Sequence, residues 1–191
     1  EPPGARVLEV GANQEPLARI LADNGYSVVG IDLRPDDYAN CWPLNYARLE
    51  GDFVRLAPHL AGSFDAIVCT SALEHFGLGT YGIPDPVKDP DYDSKAVDAM
   101  YGLLRPGGTC YVTVPVGNRF IVWGAHWRAY DKQSLQERIV RRFTIVKQVF
   151  FKSAGAGVPD VDGIVQEEDA WGYEVGDHPH VTFFGILRKG V

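Results

Sequence analysis

The stretch Ala5–Asp32, ARVLEVGANQEPLARILADNGYSVVGID, decides the fold. Arg6-Val7-Leu8-Glu9-Val10 is a short apolar and β-branched run that reads as a strand, and Gly11 ends it. Leu17, Ile20 and Leu21 then recur at helical spacing, and Asn24-Gly25 is a helix stop. Ser27 to Ile31 is a second apolar run, closed by Asp32. Two buried strands joined by a helix make a βαβ unit, which is nearly always right-handed. An acid stands at the end of each strand, where open α/β sheets bind ligands.

Outward from this unit, the chain continues in the same style. A loop from Leu33 carries Pro35 and Pro43, which forbid a long helix or central strand there. Leu49 to Phe53 reads as a short strand, Arg55 to Leu60 as one or two helical turns, and Ala66 to Thr70 as a strand covered on both faces. Ser71 to Phe76 is a short helix or loop. Gly77 to Asp93, rich in Gly, Pro and Asp, is a long loop of the kind that carries function. Ser94 is the expected N-cap of a helix to Leu104, stopped by Arg105-Pro106-Gly107-Gly108. Thr109–Val114 is a strand, and 118–130 an aromatic loop or lid. Asp131 caps a helix to Arg141, Phe143–Phe151 is a strand, 153–176 is loop-like and acidic, and His180–Leu187 is the last strand. Arg188-Lys189 reads as a solvated tail. The alternation predicts a doubly wound, mostly parallel sheet of seven strands. The last two strands, with no helix between them, are expected to pair antiparallel at an edge.

The totals narrow the function. At 191 residues the chain is expected to be a single domain, 1–191. It opens on Glu1 rather than on methionine, which leaves room for further N-terminal elements. With 18 basic and 25 acidic residues the net charge is −7, and no Lys/Arg block exists, which argues against a nucleic-acid partner. No apolar run approaches ~18 residues, so no membrane span is expected. No leader pattern is visible. Three cysteines without paired spacing (Cys41, Cys69 and Cys110) read as reduced thiols of a cytoplasmic protein.

With these residues in view, the chain resembles the class I S-adenosylmethionine-dependent methyltransferases. The resemblance rests on Leu8-Glu9-Val10-Gly11, Asp32, Gly51-Asp52, Phe64 to Val68 and Leu104-Arg105-Pro106-Gly107-Gly108, and covers nearly the whole chain. Asn13 and Glu15 stand where the family usually has further glycines in its first turn. That departure disfavours a dinucleotide, whose pyrophosphate needs glycine for close backbone approach. A narrower resemblance, to an uncharacterised branch with an EHxGLGxYG block, lies in 74–82 together with Val114 to Gly117, Trp123, His126 and Tyr130.

The resemblance implies S-adenosylmethionine as cofactor and assigns its site. Glu9, Gly11 and Asn13 would face the methionine end. Asp32 would accept hydrogen bonds from the ribose hydroxyls, which suits a carboxylate. Leu33 would pack on adenine, Asp52 would receive the adenine amino group beside Phe53, and Thr70 would lie near the reactive methyl. Each acid has a plainer reading: Glu9 as a helix cap, Asp52 as a turn acid. Two catalytic candidates follow from the residues themselves. His75, just past a strand end, and His126, in the aromatic loop, suit a general base by side-chain type; the plainer reading of each is structural, and His126 has the further option of orienting substrate. Tyr81, Trp123, Trp127 and Tyr130 would cover an apolar or sugar-like acceptor, or else form a minor hydrophobic cluster. The loops 77–93 and 117–130 are thus the expected substrate side.

No metal is expected. Asp85, Asp89, Asp91 and Asp93 are dense, but prolines interleave them without the spacing of a calcium loop, and His178-Pro179-His180 is weaker still. The expected function is methyl transfer to a small molecule or sugar, at oxygen. A non-catalytic methyltransferase-like binding module and a nicotinamide-dependent oxidoreductase are the alternatives, the latter disfavoured by the first turn.

Overall fold

A computed structural model describes residues 1–12, 17–35, 43–60, 63–79, 86–124, 126–153, 159–175 and 181–191. Asn13, Cys41, Tyr81, Asp85 and the His178-Pro179-His180 motif lie outside the described residues. The opening stretch forms β1 (Arg6–Val10), α1 (Leu17–Asp23) and β2 (Ser27–Asp32), with β1 and β2 parallel, Arg6 opposite Ser27 and Val10 opposite Ile31. After these come β3 (Tyr46–Glu50), α2 (Phe53–Leu56), β4 (Phe64–Thr70), α3 (Tyr92–Leu103) and β5 (Leu104–Val116). A two-stranded hairpin follows, β6 (Ile121–Trp123) and β7 (Trp127–Ala129). Then come α4 (Lys132–Ser134), continued by π-helical turns over Leu135–Val140, and β8 (Thr144–Ser153), β9 (Pro159–Val165), α5 (Glu167–Ala170) and β10 (Val181–Arg188).

The main sheet has eight strands in the order β3-β2-β1-β4-β5-β10-β8-β9. The first five are parallel, and β10 runs antiparallel between β5 and β8. The mixed, mostly parallel sheet is as expected, but the last strand is not at an edge. Its alternate residues Val181, Phe183 and Leu187 are buried, so it is inserted as an interior strand rather than appended. The eighth strand is β9, from a stretch expected to be loop; it pairs antiparallel with the edge of β8.

Period-2 alternation sends neighbouring residues of β1 to opposite faces. Val7 joins Ala18 and Ala22 of α1 in one cluster, whereas Leu8 and Val10 join the larger cluster with Phe53, Ala96, Val97 and Met100. Helices therefore cover both faces, and the β1–β4 boundary becomes the topological switch point. Cys69 and Cys110 are free and buried in the larger core, where desolvation raises both thiols.

Three boundaries moved for local reasons. Strand β3 lies at 46–50 rather than 49–53, because the Tyr46 side chain packs over Gly30: a Cβ on Gly30 would stand 2.4 Å from the Tyr46 hydroxyl. Helix α3 begins at Tyr92, so Ser94 is inside it rather than its cap. The terminal Lys189 is no solvated tail. Its ammonium donates to the carbonyls of Tyr101 (2.8 Å) and Leu104 (2.7 Å), satisfying acceptors at the C-terminus of α3. Among the described residues no helix is long and apolar enough to cross a membrane.

Candidate functional site

The site is built at the C-terminal ends of β1, β2 and β4. Glu9, the penultimate residue of β1, is buried at 1% exposure. Gly11 follows with φ +84°, and a Cβ there would stand 2.5 Å from the Ala72 Cβ. The turn after β1 thus packs directly on the segment after β4, and only glycine permits it. Gly11 and Ala12 donate their amides to the carbonyl of Ile31 (2.8 and 3.1 Å), which ties this turn to β2 as well.

Asp32 ends β2 and is almost buried. Its carboxylate accepts the Arg34 amide (2.8 Å) and the Arg34 Nε (3.1 Å). Leu33, between them, is half-buried. Asp52 lies one loop away and is committed to structure. It is the N-cap of α2, accepting the Arg55 amide at 3.1 Å, and both its oxygens accept the Tyr92 hydroxyl at 2.9 Å. Burial and this acid push Tyr92 up to about 12. Phe53 is buried in the core and meets Phe76 edge-on, 6.5 Å between centroids.

On the other side of the switch point, Thr70 ends β4 opposite Thr113 of β5. Ser71 then adopts φ +45°, a conformation that costs a non-glycine residue energy, and its amide donates to Thr113 Oγ1 (2.9 Å). The bend turns Leu73–His75 back as a short 3₁₀ helix. His75 is half-buried, and its Nδ1 bonds the carbonyl of His126. A carbonyl can only accept, so Nδ1 carries the proton and Nε2 is the unprotonated nitrogen. Burial lowers the basicity of His75, a shift its bond to His126 opposes and the charges of Arg34 and Arg128 reinforce, so the ring is neutral near pH 7. Glu74 is 4% exposed, and desolvation pushes it up to about 8, so it is mainly protonated near neutrality.

The aromatic segment divides in two. Trp123 and Trp127 are partly exposed and stack across the hairpin, 6.3 Å apart with 14° between planes. The His126 ring is exposed at the hairpin turn, and it is the backbone carbonyl of this residue that reaches His75. Tyr130 does not share the exposed face expected of a substrate-covering residue. It is fully buried, and its hydroxyl donates to Asp93 at 2.8 Å.

That bond belongs to a network the sequence reading did not find. Asp93 and Arg128 are both 0% exposed. Asp93 accepts Arg138 at 2.9 and 2.6 Å, and Arg128 Nε lies 3.9 Å away. Arg128 donates to the carbonyls of Phe76 (2.5 Å) and Pro90 (3.3 Å), tying the segment after β4 to the segment before α3. Asp89 pairs with Lys95 and Asp91 with Arg138, so this acidic run is engaged by cations of the chain itself. The one signal in the sequence was a charge, Arg128, enclosed by Trp127, Ala129 and Tyr130.

Acids ending adjacent parallel strands, with a glycine turn between them, are what the methyltransferase resemblance requires. The family described as a methyltransferase domain matches residues 1–186. The chain belongs to that family. Among curated relatives, a ubiquinone biosynthesis O-methyltransferase of Xanthomonas axonopodis pv. citri is 30% identical over 182 residues, covering 87% of this chain and 69% of that protein. A second such enzyme, of Xanthomonas campestris pv. campestris, is 33% identical over 138 residues; the match covers 66% of this chain and 52% of the relative, about half its length. Among solved structures, the 1,6-didemethyltoxoflavin-N1-methyltransferase of Burkholderia thailandensis, with bound 1,6-didemethyltoxoflavin and S-adenosylhomocysteine, superposes with TM-score 0.65 at 19% identity. That superposition covers 99% of this chain and 72% of the other and shows the shared fold. As a member of the family the chain is an S-adenosylmethionine-dependent methyltransferase of class I, and the nicotinamide alternative is set aside.

Proposed function

We propose that the chain transfers a methyl group to a hydroxyl of a small-molecule acceptor, with His75 as general base. The observation that carries this reading is the fixed tautomer of His75: Nδ1 is held by the His126 carbonyl, beside the turn that follows β4.

The residues present fit the cofactor. Two nearly buried carboxylates, Glu9 and Asp32, end neighbouring strands, and they suit a ligand with an ammonium group and vicinal hydroxyls. The cofactor supplies an electrophilic methyl on a sulfonium. The chain's own work is then to hold and orient. Asp32 accepts the ribose hydroxyls in competition with Arg34, and Glu9 faces the methionine end with the Gly11 turn. Asn13 and Thr70 would complete that contact, and Leu33 would line the adenine side, whereas Phe53 is taken up by the core instead. Asp52 reaches adenine only by sharing a carboxylate already used by Tyr92 and the α2 cap. On the acceptor side His75 Nε2 would take the hydroxyl proton as the methyl leaves the sulfonium sulfur for the acceptor oxygen, and would release it to water afterwards. Alignment of the two reactants supplies most of the acceleration. Trp123 and Trp127 cover the acceptor, while His126 acts through its carbonyl. The O-methyltransferase names of the curated relatives support oxygen as the acceptor atom.

The test is calorimetric titration with S-adenosylhomocysteine. Wild-type protein is expected to bind, and Asp32→Ala to bind at least about tenfold more weakly, from lost hydrogen bonds to a charged acceptor. Equal affinity in the two proteins overturns the ribose assignment.

A further inference from the structure

Strand β3 lies at the edge of the sheet, outside the two strands whose ends carry Glu9 and Asp32. Arg48 on this strand nevertheless reaches both of the loops that follow them. One terminal nitrogen of its guanidinium donates to the carbonyl of Ala12, in the turn after β1. The other donates to the carbonyl of Arg34, in the loop after β2, at 2.8 Å. The guanidinium is planar with its donors in a rigid fork, so the two carbonyls are held at a set separation.

Each carbonyl sits beside a group that matters. Ala12 directly follows Gly11, whose φ of +84° makes the turn. Arg34 uses its own amide and Nε to hold Asp32. A second contact reinforces the same spot. A Cβ on Gly30 would stand 2.4 Å from the Tyr46 hydroxyl and 2.9 Å from the Ala12 Cβ, so Tyr46 and Ala12 both close on Gly30. Strand β3 thus meets the Gly30 segment under the first turn with Tyr46, by packing, and the turn itself with Arg48, by hydrogen bonding.

We propose that Arg48 is a positioning residue of the cofactor site, setting the distance between the Gly11 turn and the Asp32 loop. It acts through backbone carbonyls and need not touch the ligand. This inference rests on the reading that these two loops hold S-adenosylmethionine. Lysine cannot replace it fully, since an ammonium is a point charge and not a fork.

The experiment compares wild type, Arg48→Met and Arg48→Lys by calorimetric titration with S-adenosylhomocysteine, each at a temperature where circular dichroism shows it folded. Steady-state kinetics with a turned-over acceptor then separate KM for S-adenosylmethionine from KM for the acceptor. Arg48→Met is expected to bind about tenfold more weakly, from two lost charge-assisted hydrogen bonds. KM for S-adenosylmethionine should rise with no matching rise in KM for the acceptor, and Arg48→Lys should recover affinity only in part. If Arg48→Met does not fold, Arg48→Lys carries the test with the same expected direction. Wild-type affinity in the folded variants would overturn the role of Arg48 alone, as would a loss divided equally between the two KM values. Failure of the wild type to bind would overturn the reading of the site and the role of Arg48 with it.

Discussion

The two halves of the proposed site are held in different ways. In the proposed cofactor half, Asp32 ends β2 and is held by Arg34, two residues on, while Asp52 caps α2 and is held both by nearby Arg55 and by distant Tyr92. In the proposed acceptor half, His75, Phe76 and Pro90 are fixed by groups distant in sequence. His75 leans on His126, and Arg128 reaches back to Phe76 and Pro90 while lying beside Asp93. The first half is set mainly at the strand ends, with Arg48 and Tyr92 as its long-range supports. The second exists only when α3, β7 and α4 come together around one buried carboxylate. Change on the cofactor side should therefore be local and modest, and change under the acceptor side should propagate.

The most severe test of this difference is Asp93→Ala. It leaves Arg128 fully buried beside a missing counter-charge and deprives Tyr130 and Arg138 of their acceptor. Breaking a buried pair from one side costs about 3–5 kcal/mol, so urea denaturation should show a loss of that size. A loss of about 1 kcal/mol or less, the level of an exposed pair, would remove the distinction between the halves.

Next in size is His75→Ala. Turnover should fall by about a hundredfold or more, the scale of a lost general base, while affinity for S-adenosylhomocysteine stays as in wild type. The pH dependence sharpens this. His75 is held below its ordinary 6.5, and a base works when neutral, so kcat/KM should level off above that value and fall as pH drops through the lowered one. The same depression makes the His75 contribution to stability present above 6.5 and lost as pH falls through the folded value. An unchanged acid limb in His75→Ala would show that another group titrates.

The smallest effect is expected from Asp52→Ala. It removes an N-cap and the Tyr92 hydroxyl's acceptor. About 1 kcal/mol should be lost in denaturation, the usual worth of a cap. A loss as large as that of Asp93→Ala would show that the cofactor half is as cooperative as the other.

The βαβ unit, the parallel order of the first strands and the acids at their ends were legible because each is local. Period-2 runs, a helix-spaced trio and a Gly or Asp at the boundary fix them within a few residues. The family motifs were legible for the same reason. Boundaries that depended on a partner were missed. Tyr46 extends β3 because Gly30 makes room for it, and 159–165 becomes a strand only because β8 offers an open edge. Tyr130 illustrates the limit most plainly. Its place in an aromatic loop suggested a substrate wall, and the packing around Asp93 made it core.

The sequence by itself determined the sheet's parallel half and the placement of Glu9, Gly11 and Asp32 at its switch point, since strand periodicity and turn chemistry act over short separations. Only the tertiary structure decided that β10 runs inside the sheet, that His75 Nδ1 is tied to the His126 carbonyl, and that Arg48, Arg128 and Asp93 make their long-range bonds. These depend on hydrogen bonds and charge pairs between residues far apart in the chain. No spacing rule reaches across such separations, and burial alone sets which of those charges must find each other.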